Sequence, residues 1–418
     1  MHRHREHQTR ERYFPVNGRR HDIDALRAGA FALLILYHVG MVYVYDWDFH
    51  IKSPHLWEWL QWPMIAVNRW RMPLIFLISG IALGLSRAAS QPLRMALRRS
   101  RMLLIPLIFG MLAIVPIQAW IEARENGAFD ANFTAFLARY WQLRPWPDGG
   151  FAGAEFGVTW NHLWYLPYLW AYSLLLVPLL LAGKLCRRWG LEVARPTGAA
   201  GVGAALVIFV PMTLWFAISY WLEPAFGDTK AFIGDWANHA RYGAVFLFGF
   251  LIARHDGFWA SLLELRFRLL PVLALGAVLY LGLRILGRVL TPESAASLPD
   301  WNWRAISDAS QAIYAWSALL TILAFGAAWL NRPWRWLPVA NQAVYPWYIL
   351  HQSLIVPLAW LLIGQDLPGP VEALGVLLGT VLGCALLVHG VILRVPILWP
   401  LFGVQAPAGR EGNGIEKR

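Results

Sequence analysis

The chain has 418 residues, of which 58% are hydrophobic and only 15% charged, and its mean hydropathy is +0.44. Soluble domains run at about 45–50% apolar and about 25% charged residues, so this composition excludes an ordinary water-soluble globule and predicts an all-α, polytopic bundle in a membrane. The net charge of +11 does not require a nucleic-acid partner, because the basic residues fall in particular connections, as orientation by cytoplasmic positive charge demands.

Apolar runs predict about ten spanning helices, at 25–45, 72–87, 102–121, 163–183, 201–221, 241–254, 269–287, 309–330, 343–363 and 371–394. Outside these runs, Lys and Arg number 21 in the N-terminal tail, one set of alternate connections and the C-terminal tail, and 9 in the other set. This bias places both termini in the cytoplasm. Residues 1–23 read as a basic cytoplasmic tail, 24–395 as the transmembrane domain, and 396–418 as a cytoplasmic tail, largely disordered. The Arg- and His-rich start has no apolar core of its own and does not read as a cleaved signal peptide. Cys186 and Cys384 are the only cysteines, which excludes a disulfide framework. The 25 Trp fit aromatic belts at the two interfaces.

The first apolar segment contains Arg27 and His38, with Asp24 one turn before Arg27. The eleven-residue step is about three turns, so both side chains share a face, roughly 16 Å apart along the axis. A lipid-facing stripe of this kind is expensive, so it should face protein or a wet cavity and mark a functional site. For Asp24 and Arg27 the competing reading is snorkelling at the membrane interface. His38 lies too deep for that.

A second cluster, Asn68-Arg69-Trp70-Arg71-Met72-Pro73, leads into Phe76-Leu77-Ile78-Ser79-Gly80. Two arginines on the outer side read as a clamp for an anionic or sugar substrate, or as lipid-headgroup contacts. Ser79-Gly80 allows close helix packing. Arg94, Arg98, Arg99 and Arg101 follow on the cytoplasmic side, either as orientation charges or as a phosphate site for a charged donor. The outer loop from about Glu122 to Asn161 is long enough to be functional or disordered, and Tyr140, Trp141 and Trp146 argue against disorder. At its end, His162 and Trp164 read as sugar contacts or an interfacial anchor. In the predicted helix 343–363, His351 is another intramembrane histidine, with a direct role or a packing role. No HExxH, P-loop, GxGxxG or GxSxG pattern occurs, and the histidines lack metal-ligand spacing, so no metal is expected.

Taken together, these motifs resemble the membrane acyltransferase-3 family. The resemblance rests on Asp24-Ala25-Leu26-Arg27-Ala28 followed by His38, then Phe76-Leu77-Ile78-Ser79-Gly80, Arg98-x-x-Arg101, His162-Leu163-Trp164-Tyr165-Leu166 and Tyr345-Pro346-Trp347-Tyr348-Ile349-Leu350-His351, in that order over about residues 20 to 395. Arg71-Met72-Pro73 looks like the branch that contains a periplasmic-glucan succinyltransferase. The chain departs from the usual Arg-Gly by having Arg27-Ala28, and Pro167 stands where many relatives have another residue. Neither change removes a chemical group.

The resemblance implies an O-acyltransferase in the bacterial inner membrane. It would move an acetyl or succinyl group from a cytoplasmic acyl-CoA, a co-substrate rather than a bound cofactor, to a hydroxyl of an extracytoplasmic glucan or other polysaccharide. The implied partners are membrane lipids, the carbohydrate acceptor and the acyl-CoA donor, with no nucleic acid. His38 is expected as general base. Arg27, held by Asp24, is expected to contact the donor's phosphates or pantetheine end, since it is too far along the helix to serve the oxyanion. Arg98 and Arg101 would bind the remaining phosphate charge. Arg69, Arg71, His162, Trp164 and His351 would face the acceptor. The rival is a transporter or flippase for a glycan or lipid-linked sugar, which inverted repeats would favour; the sequence shows none. A non-catalytic partner of a glycan synthase is the third reading.

Overall fold

A computed structural model describes residues 19–146, 149–188, 200–290 and 302–405. Most of the predicted N-terminal tail, Pro147, and residues 406–418 of the predicted C-terminal tail lie outside the described residues. In chain order the helices are α1 (His21–Tyr43), α2 (Gln61–Leu85), α3 (Pro92–Phe109), α4 (Pro116–Glu125), α5 (Phe133–Tyr140), α6 (Tyr165–Arg188), α7 (Ala200–Ala217), α8 (Trp236–Ile252), α9 (Asp256–Val289), α10 (Trp303–Trp329), α11 (Leu337–Ile363) and α12 (Gly369–Ala385). Among the described residues the only extended pairing is one isolated bridge, Val44 with Trp57.

Seven of the described helices are long and apolar enough to cross a membrane. An eighth is added if Pro92–Ile114 and Pro116–Glu125, bent by 42°, form one span. This is fewer than the ten runs read from sequence. One reason is α8, whose 17 residues reach only about 26 Å, short of a hydrocarbon core about 30 Å thick. Another is α7, which has 18 residues before it passes into a π-helical turn, Ile218–Leu222.

The chain divides into two compact units, with boundaries inside α1, α3 and α6. The first holds residues up to Ala30, Trp62–Met95 and Tyr172–Leu337. Its packing depends on small residues. A Cβ on Gly80 of α2 would strike the Phe246 carbonyl of α8, and one on Gly249 of α8 would strike the Leu77 carbonyl of α2. Only glycine lets these two backbones approach so closely. The Ser-Gly motif of the sequence is thus a helix crossing. Tyr280 of α9 and Tyr314 of α10 stack 5.5 Å apart in the same unit.

The second unit holds Phe31–Gln61, Ala96–Ala171 and Pro338–Arg418. Its core joins Val39 and Val42 of α1, Ile121 of α4, Ile355 and Ala359 of α11 and Val376 of α12. A π-helical turn, Gly110–Ile114, separates α3 from α4. Pro116 has no N–H to give the carbonyl four residues back, so a carbonyl is released at this break. The predicted outer loop supplies the missing donors. Trp141 Nε1 donates to the Leu112 carbonyl at 2.9 Å, and the Tyr140 hydroxyl lies 3.1 Å from the Met111 carbonyl.

That loop is folded. Phe136, Tyr140, Trp146 and Phe151 form a buried aromatic cluster on Ala119 and Ala123 of α4. Burying each such ring contributes roughly 1.5–3 kcal/mol. The start of the predicted C-terminal tail is also packed. Phe402 is 5% exposed and meets Phe109 edge-on at 5.3 Å. Two short 3₁₀ turns, Pro396–Leu398 and Pro400–Phe402, carry the chain to it.

Candidate active site

Of the six histidines in the second unit, four share one set of contacts: His38 on α1, His50 in the loop after α1, His162 in the 3₁₀ turn before α6 and His351 on α11. His38 Nδ1 is 2.8 Å from His351 Nε2, with the two rings stacked at 17°. His351 is fully buried and its Nδ1 lies 2.7 Å from the Tyr348 carbonyl.

A carbonyl only accepts, so Nδ1 of His351 carries the proton. In the neutral ring its Nε2 is then the acceptor, and His38 Nδ1 must donate to it. That assigns the lone pair of neutral His38 to Nε2. His38 is half-buried, so this nitrogen belongs to the histidine that keeps exposure, on a ring oriented from behind.

His162 meets His351 edge-on at 5.0 Å and is 6% exposed. Its Nε2 donates to the Ile349 carbonyl at 3.1 Å, and its Nδ1 lies 3.4 Å from Gln118 Nε2. Gln118 Oε1 accepts from Asn161 Nδ2 at 3.2 Å and from Gln352 Nε2 at 3.0 Å. Gln352 Nε2 also reaches His50 Nε2 at 2.8 Å. His50 Nδ1 pairs with Glu122 Oε2 in a short contact, and Glu122 Oε1 accepts the Ala152 backbone N–H at 3.0 Å. One chain of hydrogen bonds therefore runs from the folded loop between α4 and α6 through Glu122, His50, Gln352 and Gln118 to His162. Such a network holds its members in place only when each is satisfied.

A family model described as an acyltransferase domain matches residues 20–389. The chain belongs to the membrane acyltransferase-3 family. No curated protein and no solved structure matches it. This acyltransferase is an integral, multi-pass membrane protein.

Of the residues expected at the site, the acyltransferase brings His38, His162 and His351 together. His162 and His351 were expected to face the acceptor; both rings are buried against protein partners. Trp164, expected beside His162 on the acceptor, is 8% exposed and meets Tyr168 edge-on at 5.3 Å. Arg98 and Arg101, also in the second unit, are exposed on α3, and Arg98 reaches Gln405 at 3.3 Å.

Asp24, Arg27, Arg69 and Arg71 belong to the first unit. Asp24 pairs with Arg27 at 3.3 Å and with Arg19 at 2.7 Å. Arg69 Nε donates to the Tyr280 hydroxyl at 2.7 Å, and Arg71 is 7% exposed.

Sequence reasoning missed His50, Gln118, Glu122 and Gln352. One signal was available. Gln118 and Glu122 stand four residues apart, on one helix face, at the end of an apolar run. His50 gave none, because a lone histidine in a polar loop has no periodicity.

Proposed function

We propose that this acyltransferase moves a short acyl group, acetyl or succinyl, from a cytoplasmic acyl-CoA-type donor to a hydroxyl of an extracytoplasmic carbohydrate, with His38 as general base. The observation that carries the reading is the chain from His38 through His351 to the Tyr348 carbonyl, in a protein of an acyl-transferring family. A sugar hydroxyl is a poor nucleophile near neutral pH and needs a base in reach of its proton. His38 Nε2 takes that proton as the oxygen attacks the acyl carbonyl carbon. The new C–O bond forms, the C–S bond of the thioester breaks, and the departing thiolate recovers the proton from His38. His351 accepts from Nδ1 throughout and steadies the imidazolium.

The other roles follow the charges. Arg98 and Arg101 are exposed cations that match the phosphates of a nucleotide-bearing donor. Arg27, held by Asp24, is assigned to the donor's phosphates or pantetheine end. Arg69, Arg71 and Trp164 are assigned to the acceptor. The positive bias of alternate connections supports both termini in the cytoplasm, in a bacterial inner membrane.

The test is acyl transfer by membranes containing the protein, supplied with labelled acetyl-CoA or succinyl-CoA and a glucan acceptor, with His38→Ala as control. Label on the glycan in wild type alone supports the proposal. Equal label with the inserted variant rejects His38 as base, and no label with either donor rejects the acyl-CoA reading.

A further inference from the structure

The hydrogen bonds behind His162 have a direction, fixed at both ends. At one end stands the Ile349 carbonyl, which only accepts, so His162 Nε2 carries the proton that meets it at 3.1 Å. In the neutral ring Nδ1 is then an acceptor, and Gln118 must turn its NH2 group toward it, at 3.4 Å. The other hydrogen of that group goes to Ser353 Oγ at 2.5 Å. Gln118 Oε1 therefore faces away and accepts from Gln352 Nε2 at 3.0 Å and from Asn161 Nδ2 at 3.2 Å. The remaining hydrogen of Gln352 Nε2 meets His50 Nε2 at 2.8 Å. His50 accepts there, so its proton is on Nδ1, against Glu122 Oε2.

The other end gives the same assignment. Glu122 Oε1 accepts the Ala152 N–H at 3.0 Å. A carboxylate has no proton to give, so its second oxygen must receive one from His50 Nδ1. The two derivations agree at every member. Gln118 is fully buried, Gln352 is 3% exposed and His162 6%. Reversing one amide would set two donors or two acceptors against each other away from solvent, which is costly.

The consequence falls on His162. A second proton on its Nδ1 would point at the Gln118 NH2 group, so the network admits only the neutral ring. That ring meets His351 edge-on at 5.0 Å, and His351 is bonded to His38. A cation at His162 would oppose the imidazolium that forms on His38 during transfer. The turn that carries His162 is also pinned beside this contact. The Tyr348 hydroxyl donates to the His162 carbonyl at 2.6 Å, while the Tyr348 carbonyl lies 2.7 Å from His351 Nδ1.

We infer that Glu122 and His50 are positioning residues for acyl transfer: through Gln352 and Gln118 they hold His162 neutral, in its Nε2–H form, at the edge of the His38–His351 pair. The role in transfer rests on His38 as base; the direction of the network does not.

The experiment is nitrogen NMR of isotopically labelled histidine rings in the full-length protein in lipid nanodiscs, paired with acyl-transfer rates of the same preparation. His162→Gln and His50→Gln assign the resonances. Near neutral pH, wild type is expected to carry the ring proton of His162 on Nε2 and that of His50 on Nδ1. Glu122→Gln has one oxygen where two are needed, for His50 and for the Ala152 N–H. It is expected to lose the single His162 form and to lower kcat about tenfold, with both KM values near wild type, the scale of one broken buried hydrogen bond. Glu122→Asp, which keeps the carboxylate, is expected to recover part of both. A proton on His162 Nδ1 in wild type, alone or beside one on Nε2, overturns the proposal without any variant. A Glu122→Gln protein with unchanged kcat overturns it too, and a defective His38→Gln in the same assay then leaves the base in place. Near-normal transfer by His38→Gln rejects the base and, with it, the role in transfer inferred for Glu122 and His50.

Discussion

His38 Nδ1 and His351 Nε2 lie 2.8 Å apart, although 313 residues of chain separate them. Because His351 must keep its own proton on Nδ1 for the Tyr348 carbonyl, the pair has a direction. His38 is the outward member and His351 the inward one.

His38→Gln keeps hydrogen-bonding capacity but cannot take a proton near neutral pH. Acyl transfer is expected to fall by about a hundredfold or more, the usual scale for losing a general base. The steady-state rate of the inserted variant reads this, and a near-normal rate would falsify base catalysis at His38.

In the proposed mechanism His351 acts through His38, so its loss should appear in kcat rather than KM. His351→Ala is expected to lower kcat by about tenfold or more, and His351→Gln, whose amide oxygen can accept from His38 Nδ1, to recover part of it. A change confined to the acceptor KM would return His351 to the acceptor contact expected from sequence.

Arg98→Ala and Arg101→Ala are expected to raise the apparent KM for the acyl-CoA several-fold and to leave that for the acceptor near wild type. Exposed cations on a phosphate contribute mainly to binding. Titration of each substrate against a fixed excess of the other separates the two, and unchanged donor KM in both variants would demote the arginines to orientation charges.

Lys52 Nζ donates to the Met41 and Val44 carbonyls at the end of α1. Burial lowers its pKa to about 8, against the opposing pull of Asp48. The folded protein therefore releases this proton before an unfolded lysine would, so stability rises with pH between about 8 and the ordinary lysine value and is reduced below it. Acylation of Lys52 by a succinimidyl ester, followed by peptide mass spectrometry, should reach half its maximum near pH 8. A midpoint at the ordinary lysine value would show that the amine is not desolvated.

Orientation is checked in a background lacking Cys186 and Cys384. Ala131→Cys in the folded loop between α4 and α6 should react with an impermeant thiol reagent added outside intact cells, and Gln91→Cys before α3 should not. The opposite pattern would invert the topology.

Much of this was written along the chain. Helicity and membrane character follow from apolar run length, which is a local property. His38 and His351 could be singled out because a titratable side chain in an apolar run is costly wherever it sits, His162 because it stands with Trp164 where a long loop meets a helix, and the order of short motifs pointed to the family. Ser79-Gly80 read correctly as a helix crossing because close approach needs small residues in any context.

What the sequence could not determine is which of those histidines touch, and in which direction. Tautomer and role depend on partners hundreds of residues away, and no local pattern encodes a distance of 2.8 Å. The same holds for His50 and Glu122, which sit in a loop and at a helix end yet brace the site through Gln352 and Gln118. The lengths of individual helices also needed the fold, since α8 is only 17 residues long and α7 passes into a π turn where hydropathy reads one run. Apolar run length records only what is cheap to bury. Tertiary packing decides where the costly polar groups find one another, and so it alone set the tautomer of His38.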